Sequence, residues 1–187
     1  LTRNTMGLAS YFSKMNSNIP YDLKTQLIPA SKEMTEEVAL ICLAQNELLD
    51  QLIVIALSKE KVVSWHACWV VEKIAGKDKS KLIKFTNLLI EALPNLKHPS
   101  QIRPIFGAVA ILDFDCERHL SLIDFCIQKL TNSKSPYNEK SRALLVLEKF
   151  IVFEPELKNE FYPLVERLLP LEEKPHFIKR LNSFLSL

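Results

Sequence analysis

Glycine is nearly missing from this chain, 3 in 187 residues, which leaves few places for β-turns or for a loop that cradles phosphate. Long apolar runs are missing too. A stretch such as Leu52 to Leu57 falls far short of a membrane span, and no secretory signal pattern opens at Leu1, so a soluble chain is expected. The four cysteines, Cys42, Cys68, Cys116 and Cys126, match no zinc-site spacing. Cys42, Cys68 and Cys126 fall inside apolar helical runs, where a thiol acts as a small hydrophobe. A reducing cytoplasmic setting is the expectation. His66, His98, His119 and His176 are scattered, and none sits in a metal-ligand spacing. His66 and Cys68 are two apart on a helix and point to different faces, which excludes a nucleophile–base couple. Asp113 and Asp115 close a helix with no partner motif and read as solvated residues. There is no P-loop, nucleophile elbow or dinucleotide fingerprint. No catalytic residue, metal site or cofactor is predicted.

A strong charge of one sign is also lacking, since the net charge is only +2. That is too little to imply nucleic acid by itself. The charge is uneven, however: residues 59–103 carry nine basic against four acidic side chains. The excess lies in Lys73, Lys77, Lys79, Lys81, Lys84, Lys97 and Arg103, a run that usually just solvates a surface.

What the chain does have is a register. The segment from Val63 to Ile74 aligns with Gln101 to Leu112 and then with Glu139 to Phe150, at the same step of 38 residues both times. Ala67, Ile105 and Ala143 share a column, as do Val70, Ala108 and Val146. Val71, Val109 and Leu147 form a third, and Ile74, Leu112 and Phe150 a fourth. One more step places Leu181, Phe184 and Leu185 in the same columns. A fixed period of this size with helical spacing inside it predicts an all-α fold of stacked helix pairs, an α-α superhelix.

Four pairs follow from the apolar periodicity and the breakers between them. They are Leu48 to Leu57 with Lys61 to Ala75, Lys81 to Leu93 with Pro99 to Asp113, Glu117 to Leu130 with Asn138 to Phe153, and Glu156 to Leu169 with Pro175 to Leu187. Gly76 is expected to terminate the first second-helix, and Pro104 to sit near the start of the next. Residues 1–45 fall outside the register. Thr35 is the expected N-cap of a helix to Gln45, and Met6, Leu8, Phe12, Met15, Ile19, Tyr21, Leu23, Leu27 and Ile28 are scattered before it. A single domain is predicted, with 1–45 as an irregular helical N-terminal cap and 46–187 as repeats of about 38 residues.

The second helices, especially Ser64 to Ala75 and Lys140 to Phe150, resemble HEAT and armadillo-type repeats, closest to short bacterial HEAT-like proteins. Such chains sometimes carry an adenylosuccinate lyase-like label. The Ser-Ser-x-Met-Pro loop of that enzyme family is absent here; Ser135-Pro136-Tyr137-Asn138 is only a turn.

Helical geometry places the candidate site. With Ala67 at zero and about 100° per residue, the apolar stripe of Val63, Ala67, Val70, Val71 and Ile74 centres near about 340°. Trp65 and Trp69 then lie at about 160° and 200°, neighbours on the opposite face. In a HEAT-like stack that face lines the concave surface. The equivalents of the two tryptophans are Arg103 with Gly107 and Ser141 with Leu145, and one column over lie His66, Pro104 and Arg142. The middle second helix, from Ile102 to Leu112, is apolar nearly all round, which signals burial on both sides.

The leading expectation is a non-enzymatic binding module. Its concave face, with Trp65, Trp69, His66, Arg103, Arg142, Leu145 and Lys149, would clasp a protein or peptide. The competing reading buries both rings beneath the cap. The alternative function is a nucleic-acid-binding solenoid similar to the HEAT-like DNA glycosylases of alkylation repair, which combine a basic, aromatic groove with a carboxylate. The acidic stretch from Asp113 to Asp124 speaks against it. No membrane partner is expected, and oligomeric state has no signature in the sequence.

Overall fold

A computed structural model describes residues 21–187, and every regular element among them is helical. The expectations for Met6, Leu8, Phe12, Met15 and Ile19 lie outside the described residues. In chain order the helices are α1 (Leu23–Gln26), α2 (Lys32–Ala44), α3 (Asn46–Ala56), α4 (Val63–Lys77), α5 (Thr86–Ala92), α6 (Pro99–Ile111), α7 (Ser121–Thr131), α8 (Tyr137–Phe153), α9 (Lys158–Leu168) and α10 (Pro175–Leu185). Short 3₁₀ turns flank several of them.

The four apolar columns form the core of the second helices. Ala67, Ile105 and Ala143, then Val70, Ala108 and Val146, then Val71, Val109 and Leu147, then Ile74, Leu112 and Phe150 are all buried. Each large member contributes on the order of 1.5–3 kcal/mol on leaving water, so the repeat is the unit of stabilisation as well as of sequence. Leu181 and Phe184 are buried in turn, while Leu185 is half-buried. On α6 the burial runs unbroken from Pro104 to Ala110, matching its all-round apolar sequence.

Contacts between residues cluster into two compact units. The first runs to Leu82 and takes in Leu96–Ile105; the second comprises Ile83–Asn95 and Phe106–Leu187. The boundary expected at residues 45/46 falls inside the first unit, where α2 packs on both α3 and α4. In the second unit α8 packs on α7 and α10.

Several helix ends differ from expectation. Ser31, not Thr35, caps α2. Its extended backbone lets Oγ accept from the Met34 N–H at 3.0 Å, while the Thr35 hydroxyl donates back to the Ser31 carbonyl at 2.9 Å. The helix expected from Lys81 begins as a 3₁₀ turn over Lys79–Phe85 and is α-helical only from Thr86. Leu82 is the single buried residue of that turn, so packing does little to enforce α geometry there. Gly76 terminates nothing. It lies inside the last turn of α4, and Asp78 is the C-cap. Pro99 occupies the start of α6, and Pro104 stands within it.

A polar column accompanies the apolar ones. Gln101 and Glu139 share the first position of the aligned segment, and both are buried. The Gln101 amide donates to the carbonyls of Ala56 and Ser58 at 3.0 and 3.2 Å, satisfying the C-terminal end of α3. Glu139 accepts from the Lys129 ammonium of α7 at 2.9 Å. Each ties a second helix to the end of a first helix in its own unit.

Candidate functional site: the open face of the second helices

In the first unit, α4 opens from a strained turn. Val62 has φ 69° and ψ −64°, and the Val63 N–H donates to the Lys61 carbonyl at 2.8 Å. That is a three-residue γ-turn of the high-energy hand, unusual for a β-branched residue. Three residues on, His66 turns inward. It is 5% exposed, and its Nδ1 lies 2.6 Å from the Leu27 carbonyl. A carbonyl only accepts, so Nδ1 carries the proton. His66 was expected on the groove; it is a buried strut between α4 and the segment after α1, because its column faces the chain N-terminal to α2.

The two tryptophans divide. Trp65 is half-buried and stacked on His98, with ring centroids 3.9 Å apart and planes 10° apart. Trp69 is 38% exposed and touches the His66 ring at 4.8 Å. Neither reading of the sequence describes both rings: the segment after α1 meets His66, while Trp69 beside it stays exposed. One turn further, Glu36 of α2 bridges Lys73 at 2.5 Å and Lys77 at 2.8 Å. Hydrogen bonds from these two ammonium groups hold the Glu36 carboxyl down at about 2. Two of the seven cations in the basic run are therefore matched by an acid from the same unit. Trp69, Glu72, Lys73, Gly76 and Lys77 line a cleft of about 390 Å³, and a Cβ added at Gly76 would meet nothing within 4 Å.

In the second unit a larger cleft, about 570 Å³, lies between α8 and the chain leaving α6. Leu145, Glu148, Lys149, Val152 and Phe153 form its α8 wall, facing Asp113 to Cys116. Leu145 is 42% exposed, Phe153 51% and Val152 83%. Lys149 donates to the Leu112 carbonyl and lies 5.1 Å from the centre of the Phe114 ring. Glu148 is paired with Arg180 at 2.6 Å.

These two linings occupy the same register. Trp69, Glu72, Lys73, Gly76 and Lys77 stand two periods before Leu145, Glu148, Lys149, Val152 and Phe153. In both units the column lysine is tied to an earlier element, Lys73 to a carboxylate of α2 and Lys149 to a carbonyl after α6. Of the remaining candidates, Arg103 is exposed in the first unit and Arg142 half-buried in the second. Sequence reasoning missed His98, Phe114, Val152 and Phe153. The register held the signal for the last two, since continuing the Trp69 column two turns along α8 from Leu145 reaches them.

All four cysteines are unpaired and buried. Burial pushes the Cys42 and Cys68 thiols up to about 12 and raises that of Cys126. Cys116, beside the second cleft, is also raised by burial, with Lys149 opposing. Asp115 uses Oδ1 to accept from the Glu117 and Arg118 N–H groups at 3.0 and 3.4 Å, a capping role. Among the described residues no group of three or more His, Cys, Asp or Glu side chains is placed to hold a metal ion, and no helix is long and apolar enough to cross a membrane.

Comparison with known proteins agrees with the helical register. No curated protein and no solved structure matches the chain. A family model for the HEAT repeat domain matches residues 23–176. With that match covering most of the sequence, and with the repeat columns buried as a stack of helices requires, the chain belongs to the HEAT repeat family.

Proposed function

We propose that this repeat scaffold is a non-catalytic binding module that takes a protein or peptide on the open face of its second helices. One observation carries the reading: the same positions of α4 and α8 stay open and hold large apolar groups, Trp69 in one and Leu145, Val152 and Phe153 in the other. A folded protein rarely leaves such side chains together in a cleft without a use for them. A preformed helical wall also binds without a large ordering cost. A reducing, cytoplasmic setting goes with this reading, supported by the unpaired cysteines.

The test starts with Trp69→Ala and with Leu145→Ser/Val152→Ser, each assayed by thermal melting and by binding to peptides selected from a displayed random library on the whole chain. Melting curves within a few degrees of the parent, with at least ten-fold weaker peptide binding in one variant, support the reading. Unfolding by Trp69→Ala would assign the ring to the core and remove the first-unit face from it. Duplex DNA binding that falls steeply with added salt would transfer the face to nucleic acid.

A further inference from the structure

The first unit has an apolar opening away from the face of α4. Here α1 packs on α3, and a cleft of about 480 Å³ is lined by the chain from Tyr21 to Lys24 and by Asp50, Gln51, Val54 and Ile55 of α3. Val54 is 71% exposed, more than any other large apolar side chain described in that unit. The charges around it are committed. Asp22 caps α1, accepting from the Lys24 and Thr25 N–H groups at 3.1 and 3.4 Å. Lys24 pairs with Glu60 at 2.5 Å, and Asp50 is engaged as well. What remains for an occupant is the apolar surface of Val54, with Tyr21 and Ile55 beside it.

The chain itself arrives at this cleft, since Tyr21 to Lys24 are part of its lining. Ile19 and Asp22 are three Cα steps of about 3.8 Å apart, so the end of the preceding segment is tethered within about 11 Å of Asp22. In that segment Leu8, Phe12, Met15 and Ile19 recur at intervals of four, three and four. At about 100° per residue, with Leu8 at zero, the other three fall near about 40°, 340° and 20°. Ser10, Ser13, Lys14 and Ser17 fall on the opposite side, and Pro20 is a stop signal for a helix. We infer that residues 8–19 are the occupant of this cleft, docking as an amphipathic helix with the Leu8, Phe12, Met15 and Ile19 stripe against Val54. Covalent attachment gives the segment an effective concentration on the order of millimolar there, which a second copy or a free partner does not reach. A terminal repeat has no neighbour on one side, and the segment covers what that side would otherwise expose. The inference is independent of the binding reading above, since it assigns a different surface and closes it from within the chain.

Amide hydrogen exchange on the full chain tests it. A helix of this length is marginal alone in water, so protection reports docking. Residues 8–19 should exchange at least about ten-fold more slowly than an unstructured chain. The protection should survive dilution and be lost in Val54→Asp, an exposed position where the melting temperature should hold within a few degrees. Phe12→Ser/Met15→Ser should lose it equally and alters nothing from residue 21 onward, so a Val54→Asp chain that fails to fold does not decide the matter. Absence of protection in the parent would overturn the inference. Protection that fades on dilution would give the cleft to a second copy and overturn the assigned occupant. Protection lost in Phe12→Ser/Met15→Ser but kept in a folded Val54→Asp would put the segment on another surface and overturn the assigned cleft. None of these outcomes alters peptide binding at Trp69 or on α8, so the two readings stand or fall separately.

Discussion

The two clefts stand in the same columns of one repeat, yet they are finished in opposite ways. In the first unit the positions are Trp69, Lys73, Gly76 and Lys77, and a helix of the same unit supplies Glu36 to both lysines. In the second they are Leu145, Lys149, Val152 and Phe153, and nothing in that unit covers Val152. α4 and α8 leave the same positions open, whereas α6 buries Gly107 and Ala110 in those columns, and the residues placed there decide whether the face is satisfied within its unit or offered outward. Solenoids separate stability from specificity in this way, since buried columns are shared and open columns are left to vary.

The polar column gives the largest effect with which to break the comparison. Glu139→Ala should cost about 3 kcal/mol in the second unit, because it leaves the largely buried Lys129 ammonium without its carboxylate. The equivalent Gln101→Ala should cost less in the first unit, about 1–2 kcal/mol, for two lost bonds to carbonyls. Denaturant melts of both variants check the order; equal losses would mean that the two positions do the same job in spite of their charge difference.

Acid should loosen the first unit through Glu36. The folded pKa lies below the ordinary value of 4.5, at about 2. Its stabilisation is therefore full above about pH 4.5 and is lost as pH falls toward 2. The pair is about a third exposed, so screening limits the effect to about 1 kcal/mol. Amide exchange on α2 and α4 from pH 6 to 3 should show it in the parent and lose it in Glu36→Gln.

The smallest effect sharpens the comparison by converting one cleft toward the other. Gly76→Val installs the residue found two periods on. The added side chain meets open space and removes a helical glycine, so stability should rise by about 0.5 kcal/mol. A fall in melting temperature would show that the opening at Gly76 is occupied in solution.

Much of this was legible in the sequence because helical period and repeat period reinforce each other. The buried columns and the turn positions to within a few residues follow from counting alone, but counting does not show that Gly107 is buried in the column that leaves Trp69 and Leu145 exposed. His66 was not legible as a strut, since the carbonyl it bonds belongs to Leu27, 39 residues away and outside the register. The split between Trp65 and Trp69 was hidden for the same reason: His98 reaches Trp65 from the loop before α6. Glu36 could not be read from the sequence as the partner of Lys73 and Lys77.

By itself, then, the sequence determined that the chain is helical, that it repeats, and which face of each second helix enters the core, because burial of a periodic stripe depends on spacing that any reader can count. Only the tertiary structure decided which open positions are closed by other parts of the chain. Those closures are made by Leu27, Glu36 and His98, which stand outside the repeat columns, and by the backbone carbonyl of Leu112, which the side-chain period does not place.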